Sequence, residues 1–119
     1  MNRQQMLILL ASQSKKTKQN KYIKNCSNLI EECKRLISDW SSHPTNHQDD
    51  IRNSILDSYG IAQLMVDFFE RNSFFSKHIC ETGKAIFERC VLLCSNNAEF
   101  ANIIQCCQEC ISQCNPNLW

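Results

Sequence analysis

The chain has 119 residues, 43% of them hydrophobic, with two Gly, two Pro and a formal net charge of +1. That length supports one domain with one sizeable core, and so few breakers point to helices. A near-neutral balance excludes the global positive field of a protein that binds nucleic acid or an anionic membrane by charge alone.

From the N-terminus, Met6 to Ala11 (MLILLA) is an apolar stretch shorter than a usual secretory core and far short of the roughly 20 residues that span a bilayer. The expectation is a cytoplasmic protein with no membrane partner. Met1 to Ser12 predicts a short helix docking through Met6, Leu9 and Leu10. Lys15, Lys16, Lys18, Lys21 and Lys24 follow. Only Tyr22 among them offers a ring for stacking, so the run reads as a solvated helix start and not as a nucleic-acid arm. Residues 1–19 are therefore expected to form an extension and residues 20–119 the main domain.

Breaker positions predict four helices, near Asn20 to Trp40, Asp49 to Arg71, Ser73 to Cys94 and Ala98 to Cys114. Ser41, Ser42, His43 and Pro44 separate the first pair, Asn72 and Ser73 the second, and Ser95, Asn96 and Asn97 the third. Asn115 and Pro116 close the last. Connections this short make successive helices antiparallel, so the predicted fold is all-α: an up-down four-helix bundle with a short N-terminal helical extension.

Alternating steps of four and three residues trace the buried seam of such a bundle. They select Cys26, Ile30, Cys33, Ile37 and Trp40 on the first helix, and Ile51, Ile55, Ser58, Ala62, Met65 and Phe69 on the second. The third helix offers Ser76, Cys80, Gly83, Phe87, Cys90 and Cys94, and the fourth Phe100, Ile103, Cys107, Cys110 and Cys114. Eight of the nine cysteines fall on the seam, and Cys106 sits beside it.

Nine is an odd number, so the thiols cannot all pair as disulfides within one chain, and a reducing cytoplasm keeps them free. Antiparallel packing sorts them into two levels. Cys33, Cys90, Cys94 and Cys106 or Cys107 lie toward the first and third loops, with Cys26, Cys80, Cys110 and Cys114 toward the other end.

Thiols three or four residues apart on a helix can bring two sulfurs to one ion. Soft thiolates in an apolar core select Cu(I) or zinc over hard cations. Cu(I) accepts two or three sulfurs, whereas structural zinc wants a closed set of four, which the lone CQEC motif inside a helix does not supply. The plainer reading is that buried cysteines pack as small hydrophobes and bind nothing.

The segment CQECISQC (Cys107 to Cys114) resembles the last helix of the bacterial cytosolic copper storage proteins, four-helix bundles with CxxxCxxC patterns facing inward. Cys80 to Cys94, ending in CVLLC, resembles their third helix, and ERNSFF (Glu70 to Phe75) the turn before it. The resemblance covers roughly residues 20 to 114. It implies a copper-binding protein, a homo-oligomer with a tetramer as the suggested form, and no catalysis.

The departures imply reduced capacity. Ile30, Ile37, Ile51, Ser58, Ala62, Gly83, Phe87, Phe100 and Ile103 stand where thiols are expected. Asn96 and Asn97 replace a loop histidine of the family. His43 and His47, at the same end, are candidate entry ligands, against the plainer reading of solvated loop histidines; His78 reads as surface.

Two functions follow. In the first, Cys80, Cys90, Cys94, Cys107, Cys110 and Cys114, with Cys26 and Cys33 across the core, hold Cu(I), zinc being the less suited ion. In the second, the bundle is a metal-free structural or interaction protein offering Phe74, Phe75, Leu118 or Trp119 to a partner. An enzyme is disfavoured: there is no glycine-rich phosphate loop and no Glu-x-x-His motif of the di-iron bundles.

Overall fold

The computed structural model of the chain describes residues 2–40 and 49–114, apart from the side chains of Ser14 and Lys15. Its helices are α1 (Arg3–Trp40), α2 (Asp49–Glu70), α3 (Ser76–Cys94) and α4 (Ala101–Gln113), the last entered through a 3-10 turn at Ala98–Phe100. Among the described residues there is no strand. Each helix packs on its neighbours in sequence, and α4 closes the ring on α1. The result is the expected all-α four-helix bundle.

The N-terminal part departs from the sequence reading. Arg3 to Trp40 is one unbroken helix of 38 residues, about 57 Å long at 1.5 Å per residue. It starts at a reciprocal cap: Asn2 Oδ1 accepts from the Gln5 backbone N–H at 2.8 Å, while Gln5 Oε1 accepts from the Asn2 N–H at 3.1 Å. No Gly or Pro follows, and Lys and Gln are good helix formers, so the polar run propagates the helix instead of ending it. Met6, Leu9 and Leu10 do not dock; they are about half exposed, as are Leu7 and Ile8.

The turn between α2 and α3 follows from one residue. Asn72 adopts φ 52°, the left-handed conformation that Asn tolerates best after Gly. The Ser73 N–H then reaches the Phe68 carbonyl at 2.9 Å and the Asn72 N–H the Phe69 carbonyl at 3.1 Å. This closes the carbonyl end of α2. Gln19 Nε2 donates to Asn72 Oδ1 at 2.8 Å, tying the turn to α1. The turn delays α3 to Ser76, three residues later than expected.

The seams of α2, α3 and the α4 segment are buried as read: Ile51, Ile55, Ser58, Ala62, Met65 and Phe69; Ser76, Cys80, Gly83, Phe87, Cys90 and Cys94; Phe100, Ile103, Cys107, Cys110 and Cys114. On α1 the seam is different. Tyr22, Cys26, Leu29, Cys33 and Leu36 are buried, whereas Ile30, Ile37 and Trp40 flank the core half-buried. Both sets contain the two cysteines and both step by four and three, so packing against α2 and α4 decides between them. The residues of α1 that take seam positions without sulfur are thus Tyr22, Leu29 and Leu36.

Gly83 marks a close approach. A Cβ there would lie 2.7 Å from Met65 Sδ, so the thioether of α2 occupies the space a side chain on α3 would take. Gly60, exposed on α2, has nothing within 4 Å of its missing Cβ. Gly60→Ala should therefore stabilise the bundle by about 0.5–1 kcal/mol through helix propensity. Gly83→Val should destabilise it by about 1–3 kcal/mol through overpacking. Urea unfolding of the two variants checks both signs.

Candidate metal centre

The eight seam thiols are inside, each 3% exposed or less, and Cys106 is half-buried. All nine are free thiols. They form the two levels that antiparallel helices imply. Cys33, Cys90, Cys94 and Cys107 interact at one level, with Cys106 alongside. Cys26, Cys80, Cys110 and Cys114 interact at the other, and Cys107 and Cys110 on α4 link the two.

Direct sulfur contacts are mostly between helices. Cys90 on α3 accepts hydrogen bonds from Cys107 on α4 and from Cys94 one turn along its own helix. Cys26 on α1 accepts from Cys110 on α4, and Cys80 on α3 donates to Cys114 after α4. Cys110 thus has its hydrogen-bond partner on α1 and also interacts with Cys107 and Cys114 along its own segment. Among the described residues, no three His, Cys, Asp or Glu side chains converge closely enough to hold one ion. The unit of the site is the thiol pair.

Two polar features complete it. On α2, which has no cysteine, Ser54 and Ser58 are buried and bond backward to the carbonyls of Ile51 and Ser54, both at 2.8 Å. The same hydroxyls reach Cys90. On α4, buried Gln113 donates from Nε2 to Cys26 Sγ at 3.3 Å and accepts from Asn25 Nδ2 at 3.1 Å. Ser54 and Gln113 fall beside the four-three rhythm, and their polarity hides their burial from a reading of apolar periodicity.

The electrostatics follow from these contacts. Hydrogen bonds from Cys107 and then Cys94 outweigh the cost of burial and depress the ionisation of Cys90. Cys110 and Gln113 do the same for Cys26 against the cost of its burial. A proton donated to a neighbour is harder to lose, so Cys80, Cys94, Cys107 and Cys110 are raised, with burial adding to the effect. Cys33 is pushed up to about 12, chiefly by burial and then by Cys90. Each level thus holds one thiol disposed to ionise first among neighbours that stabilise its charge.

A family model described as "Copper storage protein" matches residues 14–118. The chain belongs to the copper storage protein family. The match takes in α2, α3, α4, most of α1 and all nine cysteines but leaves out exposed Met6 to Leu10. No curated protein and no solved structure matches the chain. The family is one of storage proteins, which makes copper the ion associated with this thiol-lined bundle. His43 and His47 lie outside the described residues, and His78 is exposed on α3 beside Phe75. Among the described residues, no helix is long and apolar enough to cross a membrane.

The burial of Cys33 has a measurable consequence. Its unfolded counterpart ionises near 9, while the folded thiol keeps its proton to about 12. The folded state then binds more protons across that window, so its stability is fully present below pH 9 and falls as pH rises. The slope is about 1.4 kcal/mol per pH unit for each such thiol. Urea unfolding of the metal-free, reduced chain at pH 9, 10 and 11 should show this decline, and Cys33→Val should remove one thiol's share of the slope. An unchanged slope would overturn the assignment.

Proposed function

We propose that the protein is a cytoplasmic store of Cu(I) with reduced capacity, holding its ions between pairs of buried thiolates. The carrying observation is the division of eight buried thiols into two interacting groups on three helices. Two sulfurs meet the needs of soft, monovalent copper, whereas structural zinc calls for four converging ligands. The proposed ligands are Cys33, Cys90, Cys94 and Cys107 at one level, and Cys26, Cys80, Cys110 and Cys114 at the other. Half-buried Cys106, with His43 and His47, would serve entry.

Apolar residues on the same seams support a reduced capacity. Leu29 and Leu36 on α1, Phe87 on α3, and Phe100 and Ile103 on the last helix take places where sulfur could face inward, and α2 contributes hydroxyls and no thiol. The protein acts by binding and release, with no reaction on a substrate. Assembly into a homo-oligomer, such as a tetramer, belongs to the same proposal.

An anaerobic titration of the full, reduced chain against a competing chromophoric Cu(I) chelator tests this. Several equivalents should be withheld from the chelator. Cys90→Ser should lower the capacity of one level, Cys110→Ser that of the other, and the double variant the sum of the two losses. Loaded protein should melt higher than metal-free protein, by the equivalent of about 2.7 kcal/mol per independent site at a hundredfold excess of free ion over Kd. Failure to retain Cu(I), with identical melting in both states, would favour a bundle whose cysteines only pack.

A further inference from the structure

A cavity of about 220 Å³ opens between α1 and the last turns of α4, lined by Lys18, Lys21, Tyr22, Asn25, Ser112 and Gln113. It leads to sulfur. Asn25 Nδ2 donates to Gln113 Oε1 at 3.1 Å, and Gln113 Nε2 donates to Cys26 Sγ at 3.3 Å. Gln113 is only 3% exposed, and an amide so deeply placed would be costly without such partners. The chain Asn25–Gln113–Cys26 is thus a continuous polar path from the cavity to one thiol group.

The other thiol group lies behind a surface of opposite character. A wider groove of about 490 Å³ over α1 and α4 is lined by Glu31, Glu32, Glu109 and Arg35 around half-buried Cys106. Two exposed lysines therefore flank the approach to Cys26, and three carboxylates with one guanidinium flank the approach to Cys106. A small charged donor of copper would meet different fields at the two places.

We propose that the Lys18–Lys21 cavity is a loading port for the Cys26 group, accepting Cu(I) as an anionic complex with small-molecule thiolates and not as a bare cation. This rests on the storage reading above. Thiolates are the soft ligands of a reducing cytoplasm, and two of them on Cu(I) leave a net negative charge. Such an anion is drawn to the lysines and repelled by the carboxylate-rich groove.

Transfer is a ligand exchange without redox change. The Cys26 sulfur bonds copper as one donor thiolate leaves, and the Cys26 proton passes to the departing sulfur. Cys110, already hydrogen-bonded to Cys26, displaces the second donor thiolate in the same way. Two Cu–S bonds form, two break, and two thiols are released. Gln113, which lines the cavity and donates to Cys26, is the link between the two.

The test is anaerobic stopped-flow uptake by the full chain from the Cu(I) bis-glutathione complex and, separately, from the cationic Cu(I) acetonitrile complex. Lys18→Glu/Lys21→Glu alters two exposed side chains and is compared with the unaltered chain. Uptake from the anionic donor should slow about tenfold, the typical lower bound for electrostatic steering, with the difference closing at high salt. Uptake from the cationic donor should not slow. Equal rates from the anionic donor, with full copper capacity in both proteins, would overturn the port alone. An unaltered chain that retains no Cu(I) at equilibrium would overturn the storage reading and the port with it.

Discussion

A thiol is smaller than the leucine or isoleucine that ordinarily fills a helix-bundle seam, yet protein interiors keep near-crystalline density. Eight buried cysteines on three helices would leave the centre underfilled unless their partners were large. Phe69, Phe87 and Phe100 are the largest fully buried side chains, and Met65 reaches into the space left by Gly83. The sulfur levels and the aromatic residues are complementary parts of one packing solution. Replacing thiols by bulky residues elsewhere in the seam lowers the number of sulfurs but supplies the volume that keeps the remainder fixed.

Polarity is handled with similar economy. Buried hydroxyls and amides must find partners, and here they find backbone carbonyls, one another and sulfur. Ser54 and Ser58 give their first bonds to α2 itself and still face Cys90, so the helix without thiols contributes to the thiol site. Gln113 performs the corresponding task at the other level, joining Cys26 to Asn25. In a low-dielectric interior such donors are worth more than at the surface. The Gln113 amide favours a charge on Cys26, which is the form that binds a metal.

The long α1 helix connects this interior to a different environment. Its C-terminal half presents Cys26 and Cys33 to the core, while its N-terminal turns carry five exposed apolar residues outside the matched family region. Between them stand the lysines, two of which line the cavity over Cys26. One helix without a break therefore fixes the position of the basic segment relative to the thiols. Surface ion pairs such as Arg35 with Glu32 and Asp39 lie along the same helix, within one or two turns of Cys33.

Read alone, the residues determine much of this molecule. Breakers at Pro44, Asn72 and Asn96–Asn97 set the number and order of the helices, and the four-three rhythm places eight cysteines inside, because both depend only on local geometry and periodicity. The last helix also carries the pattern that resembles the family's. The phase of α1 was not legible, since Cys26 and Cys33 fit a seam through Ile30 and Ile37 as well as one through Leu29 and Leu36. Only contact with α2 and α4 chooses the leucines. Likewise, spacing along α4 suggests sulfur pairs within that helix, whereas the folded bundle pairs Cys110 with Cys26 and Cys114 with Cys80. Which sulfur faces which depends on the relative rotation of neighbouring helices, and that is fixed by side-chain packing across the core, not by the sequence of any one helix.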